Sequence, residues 1–266
     1  HVHDYLYMPT LFAILFARLR KKPVVLTQHV GQIAFKSTFA RLLLAALNRT
    51  LGRYILGSVH QVVFVGRSVE AYFSRFVSFQ RPAQLIENGV DHTVYQPSEC
   101  RAYGARDIRL LFVGRFVEKK GIEYLRGCLD IPGVQWDFVG WGPLSPKGWK
   151  DLPSYVRVHE HLRALDVVPF FQEADLLILP STGEGFPLVL QEALACGTPV
   201  LISSEVADAF PRIDPRCVFE VDMRCAEAGF LLKKKLYELV KDPVALAAAR
   251  VNAIGLARHW SWDGCV

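Results

Sequence analysis

Two carboxylates, Glu184 and Glu192, stand eight positions apart in a stretch that reads as strand, glycine-rich loop and helix. Leu176 to Leu179 form a short apolar run suited to a buried parallel strand. Gly183 and Gly185 flank Glu184, and a helix is expected from Leu188 to Cys196, stopped by Gly197 with Pro199 beyond. Glu184 would then lie in the loop and Glu192 on the helix. A loop entering a helix at that edge of a sheet favours a phosphorylated ligand, because free N–H groups and the helix dipole attract negative charge. A second piece is Gly114-Arg115 at a strand end, followed by Lys120-Gly121. Two cations so placed can hold a diphosphate, Arg through its planar fork and Lys as a point charge. Gly140-Trp-Gly142 is a glycine turn after a strand, a weak candidate for a nucleotide pocket. His29 ends another strand. Such a ring either faces a cleft or serves as a hydrogen-bonded structural group.

These residues need a scaffold of alternating strands and helices, and the chain supplies one. Pro9 is placed to open a helix running to Leu19, too short to span a membrane and read as a core helix. Strands follow at 24–29, 62–65 and 84–91, with a helix over 68–76. A long helix over 36–56 has Phe39, Leu42, Leu43, Leu47, Leu51 and Ile55 as its apolar members, punctuated by Arg41, Arg49 and Arg53. It reads as a packed surface helix, with a membrane-surface helix as the alternative. Gln96-Pro97-Ser98 reads as a linker. Beyond it strands are expected at 109–114, 136–140, 156–158, 175–180 and 198–202. Helices are expected at 121–129, 167–174, 226–241 and 243–259. That alternation predicts an α/β fold with parallel sheets covered on both faces.

Charge divides at the same linker. Residues 1–98 carry 11 Lys/Arg against 4 Asp/Glu, whereas residues 99–266 carry 20 against 22. The first part therefore suits an anionic partner such as a membrane surface, although a solvated basic face accounts for it equally well. Hydrophobic residues make up 51% of the chain, enough for a sizeable core and against bulk disorder. The six cysteines form no CxxC pair, so they read as reduced thiols of a cytosolic protein, and structural zinc is not expected. His159-x-His161 lacks further ligands for a metal, and Lys233-Lys-Lys235 reads as a solvated face.

Taken together, the motifs resemble the retaining nucleotide-sugar glycosyltransferases of the GT-B fold, especially the large family 4 group. The signature of a glutamate, seven residues and a second glutamate is Glu184 to Glu192 here. Its surroundings include Ala174-Asp175, Leu179-Pro-Ser181 and Ala193-Leu-Ala-Cys-Gly197-Thr-Pro-Val200. The Gly-Arg and Lys-Gly elements are Gly114-Arg115 and Lys120-Gly121. The inter-domain Asn-Gly-Val-Asp is residues 88–91, followed by Tyr95 and Pro97, and Trp260-Ser-Trp262 is similar to the motif near the last helix. The resemblance implies two Rossmann-like domains facing a cleft. The first, 1–97, would be acceptor-side and incomplete; the second, 98–258, donor-binding; residues 259–266 would start a return segment.

By the same resemblance, Arg115 and Lys120 bind the donor diphosphate, Glu192 the ribose, and Glu184 the donor sugar, with His29 facing that sugar across the cleft. Gly185, Phe186 and Leu188 would line the donor loop. The implied reaction moves a sugar from a UDP- or GDP-sugar to a carbohydrate or lipid-linked acceptor, with retention, in cell-envelope polysaccharide, lipopolysaccharide or glycolipid synthesis. No cofactor, metal or nucleic acid is expected, and the location would be cytoplasmic, peripheral on the inner membrane face. An epimerase of the same fold and a non-catalytic nucleotide-sugar scaffold are the alternatives. Pro187 stands where the family often has Gly, removing one N–H. The family's glycine-rich N-terminal loop is not among these residues, which implies weak donor binding by this stretch alone.

Overall fold

The computed structural model describes residues 1–31, 37–98, 107–182, 184, 187–210 and 212–262. The described chain forms two compact units. The first holds residues 1–88 with Glu184 and 208–210; the second holds 89–182, 187–207 and 212–262.

In the first unit the elements run β1 (Val2–His3), α1 (Met8–Leu19), β2 (Val25–Gln28), α2 (Thr38–Leu47), α3 (Arg53–Leu56), β3 (Gln61–Phe64), α4 (Arg67–Ser74) and β4 (Gln84–Leu85). The four strands form a parallel sheet in the order β1-β2-β3-β4. Pro9 sits in the first turn of α1, where its missing N–H costs nothing. Leu26, Phe64 and Phe73 are fully buried in the core, with Ile14 of α1 packed into the same cluster.

The helix expected over 36–56 is present from Thr38, and a π-helical segment, Asn48–Gly52, joins α2 to α3. Its buried face differs from the one read by apolarity. Phe39 and Leu42 are exposed, and the buried positions are Leu44, Asn48, Gly52, Ile55 and Leu56. Asn48 explains the difference. Its side chain donates to Gly31 O at 2.9 Å and to the Tyr72 hydroxyl at 3.0 Å, and accepts from the Tyr5 hydroxyl. A buried polar hub takes the place of an apolar side chain.

The second unit runs β5 (Ile108–Arg115), α5 (Ile122–Arg126), β6 (Val134–Trp141), β7 (Val156–Glu160), α6 (Ala164–Glu173), β8 (Leu176–Leu179), α7 (Leu188–Ala195), β9 (Val200–Ser203), α8 (Ser204–Ala209, its last two residues assigned to the first unit), β10 (Val218–Val221), α9 (Ala228–Val240) and α10 (Pro243–Ala257). Its six strands are all parallel, in the order β10-β9-β8-β5-β6-β7. The order reverses between β5 and β8. The loops leaving those two strands diverge there, opening the crevice in which open α/β sheets bind ligands.

The unit changes between Asn88 and Gly89, ahead of the linker expected at residues 96–98. Val90 donates to Trp260 O at 2.7 Å and forms a bridge with Ser261. Gly89 leaves no room for a side chain, because a Cβ there would stand 2.6 Å from the Trp262 ring. These contacts fasten residues 89–90 to the second unit.

Candidate functional site

Arg115 is the last residue of β5, at the switch-point edge. A 3-10 turn, Glu118–Lys120, follows and ends on Gly121 at φ 69°. The side chain of Lys120 folds back over the strand end: a Cβ placed on Gly114 would meet its Cδ and Cε at 3.7 Å. The two cations predicted from sequence are thus placed at one strand exit, Arg115 on the strand end and Lys120 on the turn that follows. Arg115 is exposed and Lys120 half-buried.

The same turn is laced to the exit of β8. Thr182 N donates to Lys119 O at 2.8 Å, and Gly121 lies so close to Pro180 that a Cβ would stand 2.4 Å from its carbonyl oxygen. Gly121 thus meets two demands that only glycine satisfies, a left-handed backbone and a close approach. Beyond Pro180, Ser181 is fully buried, and its carbonyl accepts the Ser203 hydroxyl at 2.6 Å. The cation turn and the root of the glutamate loop are held as one piece.

Gly140 and Gly142 line the neighbouring strand exit. A Cβ on Gly140 would fall 1.8 Å from Gly114 O, its partner in the β5–β6 register. Phe116 N donates to Trp141 O at 2.7 Å. The described role of this glycine pair is close packing of β6 against the segment that carries Arg115.

Glu192 lies half-buried on α7, and Leu188 is exposed at its start. Burial pushes the Glu192 carboxyl above its ordinary value, and a hydrogen bond from the Tyr95 hydroxyl opposes that shift. Tyr95 itself is pushed well up, first by burial and then by the Glu192 charge. Its ring packs edge-on against Phe171 of α6, 6.1 Å between centroids. In the sequence Tyr95 is only a motif neighbour of Asn88-Gly-Val-Asp91; nothing local pairs it with a residue 97 positions away.

A second residue lacking a sequence signal is Arg250, inside the apolar run of α10 and only 6% exposed. Its guanidinium donates to Ala174 O at 3.2 Å and to Cys196 O at 3.3 Å, the residues that end α6 and α7. A cation at two helix C-termini is favoured by both dipoles and satisfies carbonyls left over by the helices. Burial raises the Cys196 thiol to about 12, with Glu192 adding and Arg250 opposing. That thiol is a packing group and not a nucleophile.

His29 and Glu184 belong to the first unit, both half-buried. Gly183, Gly185 and Phe186 lie outside the described residues. Among the described residues, no group of three or more His, Cys, Asp or Glu could hold a metal ion. His159 of the His159-x-His161 pair instead bonds Asp137 at 2.8 Å. A cleft of about 250 Å³ between β5–β7 and α6 is lined by ion-paired groups, among them Arg109 with Glu173 and Arg157 with Asp137. None of the predicted donor residues lines it.

Residues 107–250 match the family model described as glycosyl transferases group 1. The chain belongs to that family. Residues 1–94 match a second model, glycosyltransferase family 4. Among curated relatives, the D-inositol 3-phosphate glycosyltransferase of Mycobacterium tuberculosis (strain H37Rv) is 34% identical over 143 residues, 46% of this chain and 30% of that protein. The matched stretch thus spans under a third of such relatives. Sucrose-phosphate synthase from Thermosynechococcus elongatus aligns at a TM-score of 0.78 and 23% identity over 99% of this chain and 69% of its own. Anabaena HepE, solved with UDP and glucose, gives 0.74 at 17% over 94% and 71%. WaaG, described as a glycosyltransferase of lipopolysaccharide biosynthesis, gives 0.67 at 18% over 94% and 78%. The GT-B fold expected for this family is the fold observed: two parallel-sheet α/β units.

Proposed function

We propose that this chain carries the donor half, and part of the acceptor half, of a retaining glycosyltransferase that uses a nucleoside-diphosphate sugar. The observation that carries the reading is the position of Arg115 at the end of the switch-point strand with the Lys120 side chain lying over Gly114 beside it, in the unit that also holds Glu192. Structural neighbours solved with UDP or UDP-glucose support a nucleotide-sugar donor, read here as a UDP- or GDP-sugar. Arg115 and Lys120 hold the diphosphate and neutralise the charge that develops as the glycosidic bond breaks. They do so as fixed cations, without a metal or other cofactor. Glu192 accepts the ribose hydroxyls. Glu184, with Gly185, Phe186 and Leu188, meets the donor sugar, and His29 meets it from the first unit. Gly140 and Gly142 shape the floor beside the nucleotide. The acceptor is a hydroxyl of a carbohydrate or lipid-linked glycan of the cell envelope.

Peripheral contact with an anionic membrane on the cytoplasmic side belongs to the same proposal. On α1, Phe12, Phe16 and Leu19 are exposed, Arg20 lies over the Phe16 ring, and Lys21 and Lys22 follow at the helix end. Apolar side chains among cations suit an interface of anionic lipid. No helix among the described residues is long and apolar enough to cross a membrane.

Calorimetric titration with UDP, GDP and their sugars tests the donor assignment on wild type, Lys120→Ala and Glu192→Ala. Unchanged affinity for every nucleotide that binds the wild type overturns it. Retention is read from the product anomer by NMR. Conversion of the nucleotide sugar without an acceptor points to an epimerase, and tight binding without turnover to a scaffold. Co-sedimentation with anionic against neutral vesicles tests the membrane contact.

A further inference from the structure

The donor reading leaves open what holds His29 in place, and the end of β1 answers it. His29 is the first residue after β2, where the sheet ladder has just ended. The last rung is His3 opposite Thr27, followed by Asp4 N donating to Thr27 O at 2.9 Å. Asp4 then takes a left-handed backbone, φ 46°, which a non-glycine residue adopts at a cost and which Asp tolerates better than most. That turn sends its carboxylate back across the strand exit. Asp4 Oδ1 accepts from His29 N at 2.8 Å and, at 3.4 Å, from Val30 N. Gln28, almost fully buried, laces the same stretch: its amide donates to Val30 O at 2.7 Å and accepts from Tyr5 N at 3.2 Å. The backbone of His29 is thereby fixed by the first unit alone.

The ring is held as well. His3 Nδ1 lies 3.0 Å from His29 Nε2, with the ring centroids 5.3 Å apart and the planes 29° from parallel. The His1 ring lies beyond, tilted 34° with its centroid 4.6 Å from that of His3, and its Nε2 is 2.8 Å from the Thr27 hydroxyl. Two neutral imidazoles at that distance need one N–H and one lone pair between them. If both rings take their intrinsically favoured form, protonated on Nε2, His29 Nε2–H donates to His3 Nδ1. The alternative puts both rings in the less favoured form. In the first arrangement the free nitrogen of His29, Nδ1, is a lone pair.

The geometry points to the His3-Asp4 turn as the positioning device of His29, with His3 fixing the ring plane and the tautomer so that His29 offers an acceptor, not a donor, to a sugar hydroxyl. This rests on the reading that His29 meets the donor sugar. His3 is a positioning residue and touches no substrate. The full chain, labelled with ¹⁵N-histidine, gives the decisive spectrum through its long-range proton–nitrogen couplings. His29 is expected to carry its proton on Nε2 in the wild type, to become a mixture of tautomers in His3→Leu, and to be restored in His3→Asn, whose side-chain oxygen stands near the position of Nδ1. In turnover, His3→Leu is expected to lower kcat/KM for the nucleotide sugar about 3- to 10-fold, the range of one net hydrogen bond, while UDP affinity stays unchanged and His3→Asn recovers most of the loss. A proton on Nδ1 in the wild type, or an identical His29 spectrum in His3→Leu, overturns the proposal. So does an equal loss in His3→Leu and His3→Asn. If His29→Ala leaves turnover unchanged while the tautomer responds to His3, the role given to His29 fails and the positioning contact stands.

Discussion

Gly121 offers the sharpest test of how the cation turn is built, because the chain contains its own control. Gly121 and Gly133 have nearly the same left-handed backbone, φ 69° and 72°. A Cβ on Gly133 meets nothing within 4 Å, whereas one on Gly121 lands 2.4 Å from Pro180 O and 2.9 Å from the Pro180 ring. Alanine at Gly133 therefore carries only the left-handed penalty, about 1–2 kcal/mol. Alanine at Gly121 carries that penalty and a clash with backbone, which adds about 1–3 kcal/mol in a packed setting. The expected totals are about 1–2 and about 2–5 kcal/mol, read from urea unfolding of each variant. Contacts under 3.0 Å essentially do not occur, so Pro180 has to retreat by about 0.6 Å from the turn that carries Lys120. A displacement approaching 1 Å costs about 100-fold where groups are aligned for chemistry. Half that shift predicts roughly a 10-fold loss of kcat/KM for the nucleotide sugar in Gly121→Ala and none in Gly133→Ala, measured in a turnover assay. Equal losses of stability, or kcat/KM unaffected in both, would refute the reasoning.

Glu192 has its carboxyl raised by burial, so the folded state holds that proton more tightly than the unfolded chain. Its contribution is most favourable below the ordinary value of 4.5 and is lost as pH rises through the raised one. Glu192→Gln is therefore expected to raise Tm, with a gain that grows as pH rises above 4.5, while weakening UDP binding; a gain that shrinks with rising pH would contradict it. Tyr95→Phe removes the hydrogen bond that opposes the shift, so the acid limb of UDP binding is expected to move to higher pH. An acid limb that stays in place in a titration series ends that idea. Asn48→Leu strands the hydroxyls of Tyr5 and Tyr72 and the carbonyl of Gly31, and a loss of about 3 kcal/mol or more is expected in urea unfolding.

Strands made of apolar runs were legible: Leu176–Leu179 and the β5 and β6 runs stand where periodicity and flanking glycines put them. So was the placing of Arg115 on a strand end and Lys120 in the turn after it, because both are local features. Three things were not legible. Val2–His3 is a two-residue strand defined only by pairing with Leu26 and Thr27. The buried face of α2 and α3 includes Asn48 and Gly52, which no apolar count selects. Its members 44, 48, 52 and 56 recur every fourth residue. A strict α-helix gains about 40° per such step, and the wider π-helical turn takes that drift back. The partners of Glu192 and of the α7 terminus, Tyr95 and Arg250, come from distant segments and follow from tertiary packing alone.

Arg250 also sets a limit on how the second unit can breathe. One guanidinium on α10 closes the ends of α6 and α7 together, so neither helix end can fray without stranding a buried charge. Openings that expose the last turn of α7 must therefore be the same openings that lift α10 from it. In amide-exchange terms, the helix bearing Glu192 and the helix bearing Arg250 behave as one cooperative unit. Protection of the ribose-side helix is then set by a helix that contributes nothing to the proposed donor contacts.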